Sequence, residues 1–147
     1  MDLEEAYDKI YRYAYFKSGN RTVAEDITQE TFLRFISKYS NTDAFDMRFL
    51  YTIARNLCID EYRRVKPEPL PEEEGEWAAS VNDSSEEHLA VREAIDKLSA
   101  EDRELLLLRY VNDESVGTIA KTLKISRFAV YRRIKAAEER LKQGLEV

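Results

Sequence analysis

The segment that decides the fold of this chain lies between residues 115 and 143 and has the sequence SVGTIAKTLKISRFAVYRRIKAAEERLKQ. Its apolar residues recur at helical spacing in two runs, which Lys124 and Ile125 separate. Ser115 and Ser126 each stand just before a run, where a serine side chain can cap the first turn of a helix. The segment therefore predicts two helices joined by a tight turn, which is a helix-turn-helix.

The second of these helices is expected to have one buried face and one cationic face. Its apolar stripe should pack on a matching stripe of the first helix, with Val130, Ile134, Ala137 and Leu141 against Val116, Ile119, Ala120 and Leu123. Residues 119–143 carry eight Lys or Arg against two Glu, a local charge of +6 in a chain of net charge −6. A cationic helix on an acidic protein indicates a nucleic-acid partner.

Such a helix can enter the major groove of duplex DNA with its N-terminal residues at the base edges. The best candidates for base contacts are Ser126, Arg127, Phe128, Ala129, Tyr131 and Arg132. Arg133, Lys135 and Arg140 better suit phosphates or ion pairs within the helix. The alternative is a solvated helical hairpin, held by i,i+4 pairs such as Lys135–Glu139 and without a DNA partner.

Composition favours a helix-rich protein and excludes several classes of site. The chain has 147 residues, of which 44% are hydrophobic and 35% charged, with four Gly and three Pro. No apolar run has the length of a membrane span, and the acidic N-terminus is unlike a targeting peptide, so a cytoplasmic location is expected. With one Cys (Cys58, expected in the core) and one His, no metal site is expected. No phosphate-binding Gly loop is present, so neither a cofactor nor enzyme activity is expected.

Charge divides the chain into three blocks. Residues 1–66 have net charge 0, residues 67–100 have −8, and residues 101–147 have +2. Pro67, Pro69 and Pro71 open the acidic block, and prolines at alternate positions prevent helix formation. The sequence predicts an all-α protein with two small helical domains, 1–66 and 85–147, joined by an acidic Pro/Glu-rich linker, 67–84.

Helix boundaries follow from caps and breakers. The first domain is expected to contain four helices. The first covers about 3–17, and a Thr22–Glu25 capping box opens the second, which ends near residue 39. A short helical turn should follow the break at 40–43, and the last helix should cover about 48–65. In the second domain, Ser84 should cap a helix to Lys97, and Ser99 a helix to about Val111. The helix after Ser126 should end near Leu141.

The helix at 48–65 is expected to have two functional sides. Its core stripe should be Leu50, Ile53, Ala54 and Leu57. Tyr51, Arg55 and Tyr62 share a second face, with Thr52, Asn56 and Arg63 beside it. Aromatic rings interleaved with Arg and Asn suit unstacked bases. The alternative, equally supported by the pattern, is that Tyr51 and Tyr62 cap the core.

The helix at 22–39 also has a mixed second side. Ala24, Ile27, Thr31 and Phe35 form one face, whereas Asp26, Gln29 and Leu33 lie on another, with Phe32 and Ile36 alongside. A mixed polar and apolar face favours docking on a protein partner. A partly exposed helix without a partner fits the pattern equally well.

Three segments together resemble a bacterial RNA polymerase sigma factor of the sigma-70 family, extracytoplasmic-function (ECF) type. They are residues 24–33 (AEDITQETFL), residues 49–64 (FLYTIARNLCIDEYRR) and residues 98–141, which include LSAEDR and VYRRI. The first resembles the family's polymerase-binding helix, the second its −10 recognition helix and the third its −35 domain. The resemblance covers both expected domains in the right order.

The resemblance implies a role for each segment. Contacts with the β′ clamp of core polymerase would come from Asp26, Gln29, Glu30, Phe32 and Leu33. Contacts with the −10 element would come from the loop 41–48 and from Arg48, Phe49, Tyr51, Thr52, Arg55, Asn56, Tyr62 and Arg63. Contacts with the −35 element would come from Ser126, Arg127, Phe128, Ala129, Tyr131, Arg132, Arg133 and Lys135. The polymerase β flap and an anti-sigma factor are further implied partners.

The chain departs from the family pattern at Phe49 and at Lys124. Phe49 stands where Trp is usual, and Lys124 stands where the turn usually has Gly, so a positive φ there would strain the lysine. The main alternative function is a stand-alone helix-turn-helix regulator, which would bind operators tightly without polymerase. An adaptor that only docks on polymerase is a third hypothesis, and the basic and aromatic faces argue against it.

Overall fold

The computed structural model describes residues 2–39, 45–64 and 86–146. Their regular structure is entirely helical, which confirms the predicted all-α fold. The helices are α1 (Leu3–Ser18), α2 (Arg21–Lys38), α3 (Met47–Arg64), α4 (Glu86–Asp96), α5 (Ala100–Leu106) with a π-helical turn (Leu107–Val111), α6 (Val116–Leu123) and α7 (Arg127–Glu146). They form two compact units, one within residues 1–79 and one within 80–147. The predicted acidic linker, 67–84, lies outside the described residues.

The N-terminal unit is a bundle in which α1, α2 and α3 all contact one another. Asp2 caps α1 by accepting a hydrogen bond from the Glu5 N–H (2.8 Å), and Gly19 ends it in the left-handed conformation, φ 69°. Glycine suits this position because it has no Cβ to clash there. The break at 40–43 lies outside the described residues, and the short helical turn expected after it is not found in residues 45 and 46.

The capping box predicted at Thr22 is wrong. The Asn20 side chain accepts a hydrogen bond from the Val23 N–H (3.0 Å), so α2 begins at Arg21. Asparagine caps a helix as well as threonine does, and here it follows directly on the glycine that ends α1. The predicted core face of α2 is confirmed, since Ala24, Ile27, Thr31 and Phe35 are all buried.

The core face of α3 is rotated from the predicted one. The buried residues are Met47, Leu50, Tyr51, Ala54 and Cys58, whereas Ile53 and Leu57 are only half-buried. At about 100° per residue, the centre of the buried stripe lies roughly 60° from the centre of the predicted stripe. Tyr51 therefore lies in the core, and the expectation that Cys58 is a core residue is confirmed.

In the C-terminal unit, each serine cap within the described residues is confirmed. Ser99, Ser115 and Ser126 accept hydrogen bonds from the N–H groups of residues 102, 118 and 129, at 3.1, 3.1 and 3.0 Å. The cap predicted at Ser84 lies outside the described residues. The helix predicted from Ser99 to Val111 changes at Leu107 into a π-helical turn. The last helix, α7, extends to Glu146, beyond its predicted end.

Helices α6 and α7 pack through the predicted stripes. Six of the eight predicted positions are buried, and Leu123 and Leu141 are half-buried. The buried ones are Val116, Ile119, Ala120, Val130, Ile134 and Ala137. Between the helices, Lys124 adopts φ 60° and ψ 44°. At the far end of α7, Gly144 approaches α4 so closely that a Cβ on it would lie 3.2 Å from the Ala94 Cβ. These contacts leave the opposite face of α7 exposed.

Candidate nucleic-acid interface

The exposed face of α7 combines aromatic rings with cations. Phe128 is 71% exposed and Tyr131 62%, and Arg127 and Arg132 are exposed beside them. The Arg132 guanidinium lies 5.5 Å from the centroid of the Phe128 ring, a cation–π distance. This face can offer guanidinium hydrogen bonds and apolar ring surface to the same stretch of a nucleic acid.

Ala129 does not belong to this exposed face. It is 9% exposed and shares the buried side of α7 with Val130, so its base contact stays a prediction that the burial does not favour. Ser126 is exposed, but its hydroxyl oxygen already accepts the capping hydrogen bond from the Ala129 N–H. Arg133 and Lys135 are exposed, as phosphate contacts require.

Arg140 has a different partner from the predicted ones. Its Nη1 donates a hydrogen bond to Asp102 Oδ2 at 2.7 Å, which ties α7 to α5. The Asp102 side chain is only 12% exposed, so this ion pair is partly shielded from water. Tyr110, within the π-helical turn, also contacts α7 by donating a hydrogen bond to Glu138. Arg140 therefore ties α7 to α5, which favours a stabilising role over the predicted phosphate contact, although its side chain is 60% exposed.

On α3, the outward side begins at Arg48 and ends at Arg63. Asn56 and Arg63 are exposed and Tyr62 is 51% exposed, whereas Phe49, Thr52 and Arg55 are half-buried. Tyr51 is fully buried and packs edge-on against Tyr13, with ring centroids 5.5 Å apart. This burial favours the alternative that Tyr51 caps the core, and its contact with the −10 element stays a prediction.

Arg48 is tied to a neighbouring carboxylate. Its Nη2 donates to Asp46 Oδ2 at 2.8 Å and its Nε to Asp46 Oδ1 at 3.1 Å, and the Arg48 N–H also donates to this carboxylate. These hydrogen bonds and the opposite charge raise the pKa of Arg48 above its ordinary value. The same carboxylate thus holds the first turn of α3 and the exposed guanidinium.

Aromatic rings connect the end of α2 to the start of α3. Tyr39 stacks on Phe49 with centroids 4.7 Å apart and an interplanar angle of 20°. Phe45 contacts Phe35 at 5.8 Å and Phe32 at 5.6 Å. The rings hold residues on both sides of segment 40–44. Neither Tyr39 nor Phe45 was among the predicted site residues; the i,i+4 spacing of Phe35 and Tyr39 was the available signal.

On α2, the mixed face is exposed. Leu33 is 64% and Ile36 52% exposed, and Asp26 and Gln29 are exposed on the same side. Glu30 accepts a hydrogen bond from Arg34 Nε at 2.8 Å. Phe32 is only 7% exposed and stacks on Tyr7 at 5.8 Å, so it lies in the core, and its polymerase contact stays a prediction that the burial does not favour.

Comparison with known proteins assigns the chain to a family. Residues 3–67 match sigma-70 region 2 and residues 88–141 match sigma-70 region 4. The chain is 32% identical to the ECF RNA polymerase sigma factor SigW of Bacillus subtilis, an alignment that covers 98% of this chain and 87% of SigW. The chain belongs to the ECF family of RNA polymerase sigma factors.

One further relative and two solved structures are also similar to the chain. The sigma factor is 34% identical to the ECF sigma factor BldN of Streptomyces coelicolor, over 79% of this chain and 48% of BldN. Its fold is similar to that of the sigma factor RpoE of Bartonella quintana, solved with the anti-sigma factor NepR (TM-score 0.68, 20% identity, 99% of this chain and 94% of that one). It is also similar to CnrH, solved with the cytosolic domain of CnrY (TM-score 0.65, 23% identity, 95% and 81%).

Membership of the family establishes the general function. A sigma factor directs RNA polymerase to promoters and starts transcription there, so a stand-alone operator-binding regulator is not favoured. Within the described residues, no group of three or more His, Cys, Asp or Glu side chains could hold a metal ion. No helix in these residues is both long and apolar enough to span a membrane.

Proposed function

We propose that this sigma factor binds the −35 element as duplex DNA through the exposed face of α7. The observation that carries the proposal is the joint exposure of Phe128, Tyr131 and Arg132 on a helix whose other side is buried. Arginine can form two hydrogen bonds with guanine in the major groove, and an aromatic ring can contact a thymine methyl group. Arg127 adds a further donor at the start of the helix, and Arg133 and Lys135 supply phosphate contacts.

The −10 element is assigned to α3 and to the aromatic rings at its start. Exposed Asn56, Tyr62 and Arg63, with half-buried Phe49, Thr52 and Arg55, offer stacking surface, an amide and cations to unpaired bases. Extruding a base from the duplex costs a few kcal/mol, and stacking can offset this cost. The stacked Tyr39 and Phe49 rings support one end of this surface.

Docking on core polymerase is assigned to α2, through Asp26, Gln29, Glu30 and Leu33 against the β′ clamp. Exposed Leu33 supplies the apolar centre that protein interfaces require, and the polar residues supply the rim. We extend the proposal to the domain organisation of the chain, with one domain at residues 1–66, a linker at 67–84 and a second domain at 85–147. The second domain would bind the β flap of core polymerase. We further propose that the protein is cytoplasmic, that an anti-sigma factor binds it and that it has no enzyme activity.

Run-off transcription with bacterial core polymerase and a pool of genomic promoter fragments tests the proposal. We expect specific transcripts that disappear with Arg132→Ala, which removes the −35 contact, and with Asn56→Ala, which removes the −10 contact. Lys142→Ala is the matched control, because Lys142 is an exposed cation on α7 but lies ten residues beyond Arg132. Its transcripts should equal those of the parent protein.

Two outcomes would contradict the proposal. Equal losses with Lys142→Ala and Arg132→Ala would mean that total charge, and not the face of α7, determines promoter binding. The absence of any polymerase-dependent transcript, together with nanomolar operator binding by the free protein, would support a stand-alone regulator.

A further inference from the structure

A glycine stands inside α6 where the backbone does not require one. Gly117 is the second residue of α6, and within the described residues the only glycine with a positive φ is Gly19. Glycine weakens a helix relative to alanine, because it loses more conformational freedom on folding. The reason for a glycine at position 117 therefore has to lie in its surroundings.

The surroundings of Gly117 are the side chain of Arg127. A Cβ at position 117 would lie 3.2 Å from Arg127 Nη2, 3.5 Å from Nε and 3.6 Å from Cζ. These similar distances place the guanidinium group against the first turn of α6. At 3.2 Å a methyl group would be closer than ordinary van der Waals contact allows, so an alanine would displace the guanidinium. Because the arginine is flexible, the displacement would leave the backbone in place.

Apart from this contact with α6, few interactions fix the position of the Arg127 side chain. It is exposed, it is the first residue of α7, and no acidic side chain among the described residues forms an ion pair with it. A long side chain without a fixed partner samples many rotamers, and ordering it on binding costs affinity. A guanidinium that already lies against α6 would start from fewer rotamers, so its ordering on DNA would cost less affinity.

We propose that Gly117 is a positioning residue for promoter recognition: it admits the Arg127 guanidinium against α6 and so orients it for the −35 duplex. This inference rests on the proposed assignment of Arg127 to the −35 element. Gly117 itself need not touch DNA, and its effect on promoter binding passes through Arg127.

A double-mutant cycle with holoenzyme tests the inference. Core polymerase with the full chain is titrated onto a promoter fragment obtained by the run-off selection, using the parent, Gly117→Ala, Arg127→Ala and the double variant. We expect Gly117→Ala to weaken promoter binding about three- to tenfold, while the melting temperature of the protein stays the same or rises. In the Arg127→Ala background, Gly117→Ala should have no further effect on affinity.

Gly144→Ala is the matched control, because its Cβ would meet Ala94 of α4 and not a residue of the exposed face. It should lower the melting temperature, and any change in affinity should be the same with and without Arg127. Equal losses from Gly117→Ala in the two backgrounds would overturn the inference and leave Gly117 a purely structural residue. Unchanged affinity for Gly117→Ala would overturn it as well. Unchanged affinity for Arg127→Ala alone would instead refute the −35 assignment of Arg127.

Discussion

The turn before α7 allows a direct test of backbone strain. Lys124 has φ 60° and ψ 44°, and its N–H donates to the Ala120 carbonyl to close the end of α6. A residue with a Cβ pays about 1–2 kcal/mol for this left-handed conformation. Glycine pays no such strain but loses about 0.4–1 kcal/mol through the greater freedom of its unfolded chain. Lys124→Gly should therefore be more stable than Lys124→Ala by about 0.5–1 kcal/mol.

Comparing glycine with alanine removes the contribution of the charge. Lys124 lies at the C-terminal end of α6, where a cation is stabilised by about 0.3–1 kcal/mol through the helix dipole, and both variants lose this equally. Lys121 is the matched control, because it is also an exposed lysine of the same helix and lies three residues earlier. There the order should reverse, with Lys121→Gly less stable than Lys121→Ala by about 1 kcal/mol.

Native-state hydrogen exchange is the appropriate assay, because it measures the free energy of opening of the C-terminal unit separately from the N-terminal unit. The amides of buried Ala120 and Ile134 report on α6 and α7. A Lys124→Gly protein no more stable than Lys124→Ala would refute the reasoning, because it would mean that position 124 does not adopt the left-handed conformation in solution.

Three further predictions concern residues whose predicted roles the structure changed or supported. Arg140→Ala should cost about 1 kcal/mol of stability in hydrogen exchange but leave promoter affinity unchanged, since its partner lies on α5. A tenfold loss of promoter affinity would instead support the predicted phosphate contact. Phe32→Ala should cost about 3–5 kcal/mol in thermal unfolding, whereas Leu33→Ala should stay within about 0.5 kcal/mol and weaken core polymerase binding about tenfold. Tyr51→Ala should likewise destabilise the N-terminal unit, and a Tyr51→Ala protein as stable as the parent would contradict its place in the core. Tyr62→Ala should fold normally and reduce open-complex formation, measured by permanganate reactivity, at least fivefold.

Local sequence chemistry predicted most of the helices correctly. Gly19 ends α1 and Ser99, Ser115 and Ser126 cap their helices, because each of these functions depends on one side chain and a few adjacent backbone groups. The start of α2 was missed because two residues, Asn20 and Thr22, could both serve as its cap. The π-helical turn after α5 was not predicted, because no single capping or breaking residue in the sequence marks its start.

Burial was harder to predict than helix position. Aromatic residues lie on several sides of α2 and α3, so periodicity alone did not determine which rings face inward. Tyr51 and Phe32 are buried because α1 supplies Tyr13 and Tyr7 at the matching height, a tertiary contact that no spacing within one helix encodes. Ala129 is buried beside Val130, at the edge of the apolar stripe predicted for α7. For Tyr51 and Phe32, burial therefore depends on a neighbouring helix and not on the pattern of their own helix.

The residues around α6 are not those that would give the most stable domain. Gly117 weakens the helix where alanine would support it, and Lys124 holds a strained backbone where glycine would relieve it. Natural proteins tend to accept such local costs where function requires them. At both ends of α6 the costly choice accommodates a cation: the glycine makes room for the Arg127 guanidinium, and the strained residue is itself a lysine. The proposed placement of Arg127 therefore accounts for the cost at Gly117, whereas the strained backbone at Lys124 has no such explanation in the contacts of the described residues.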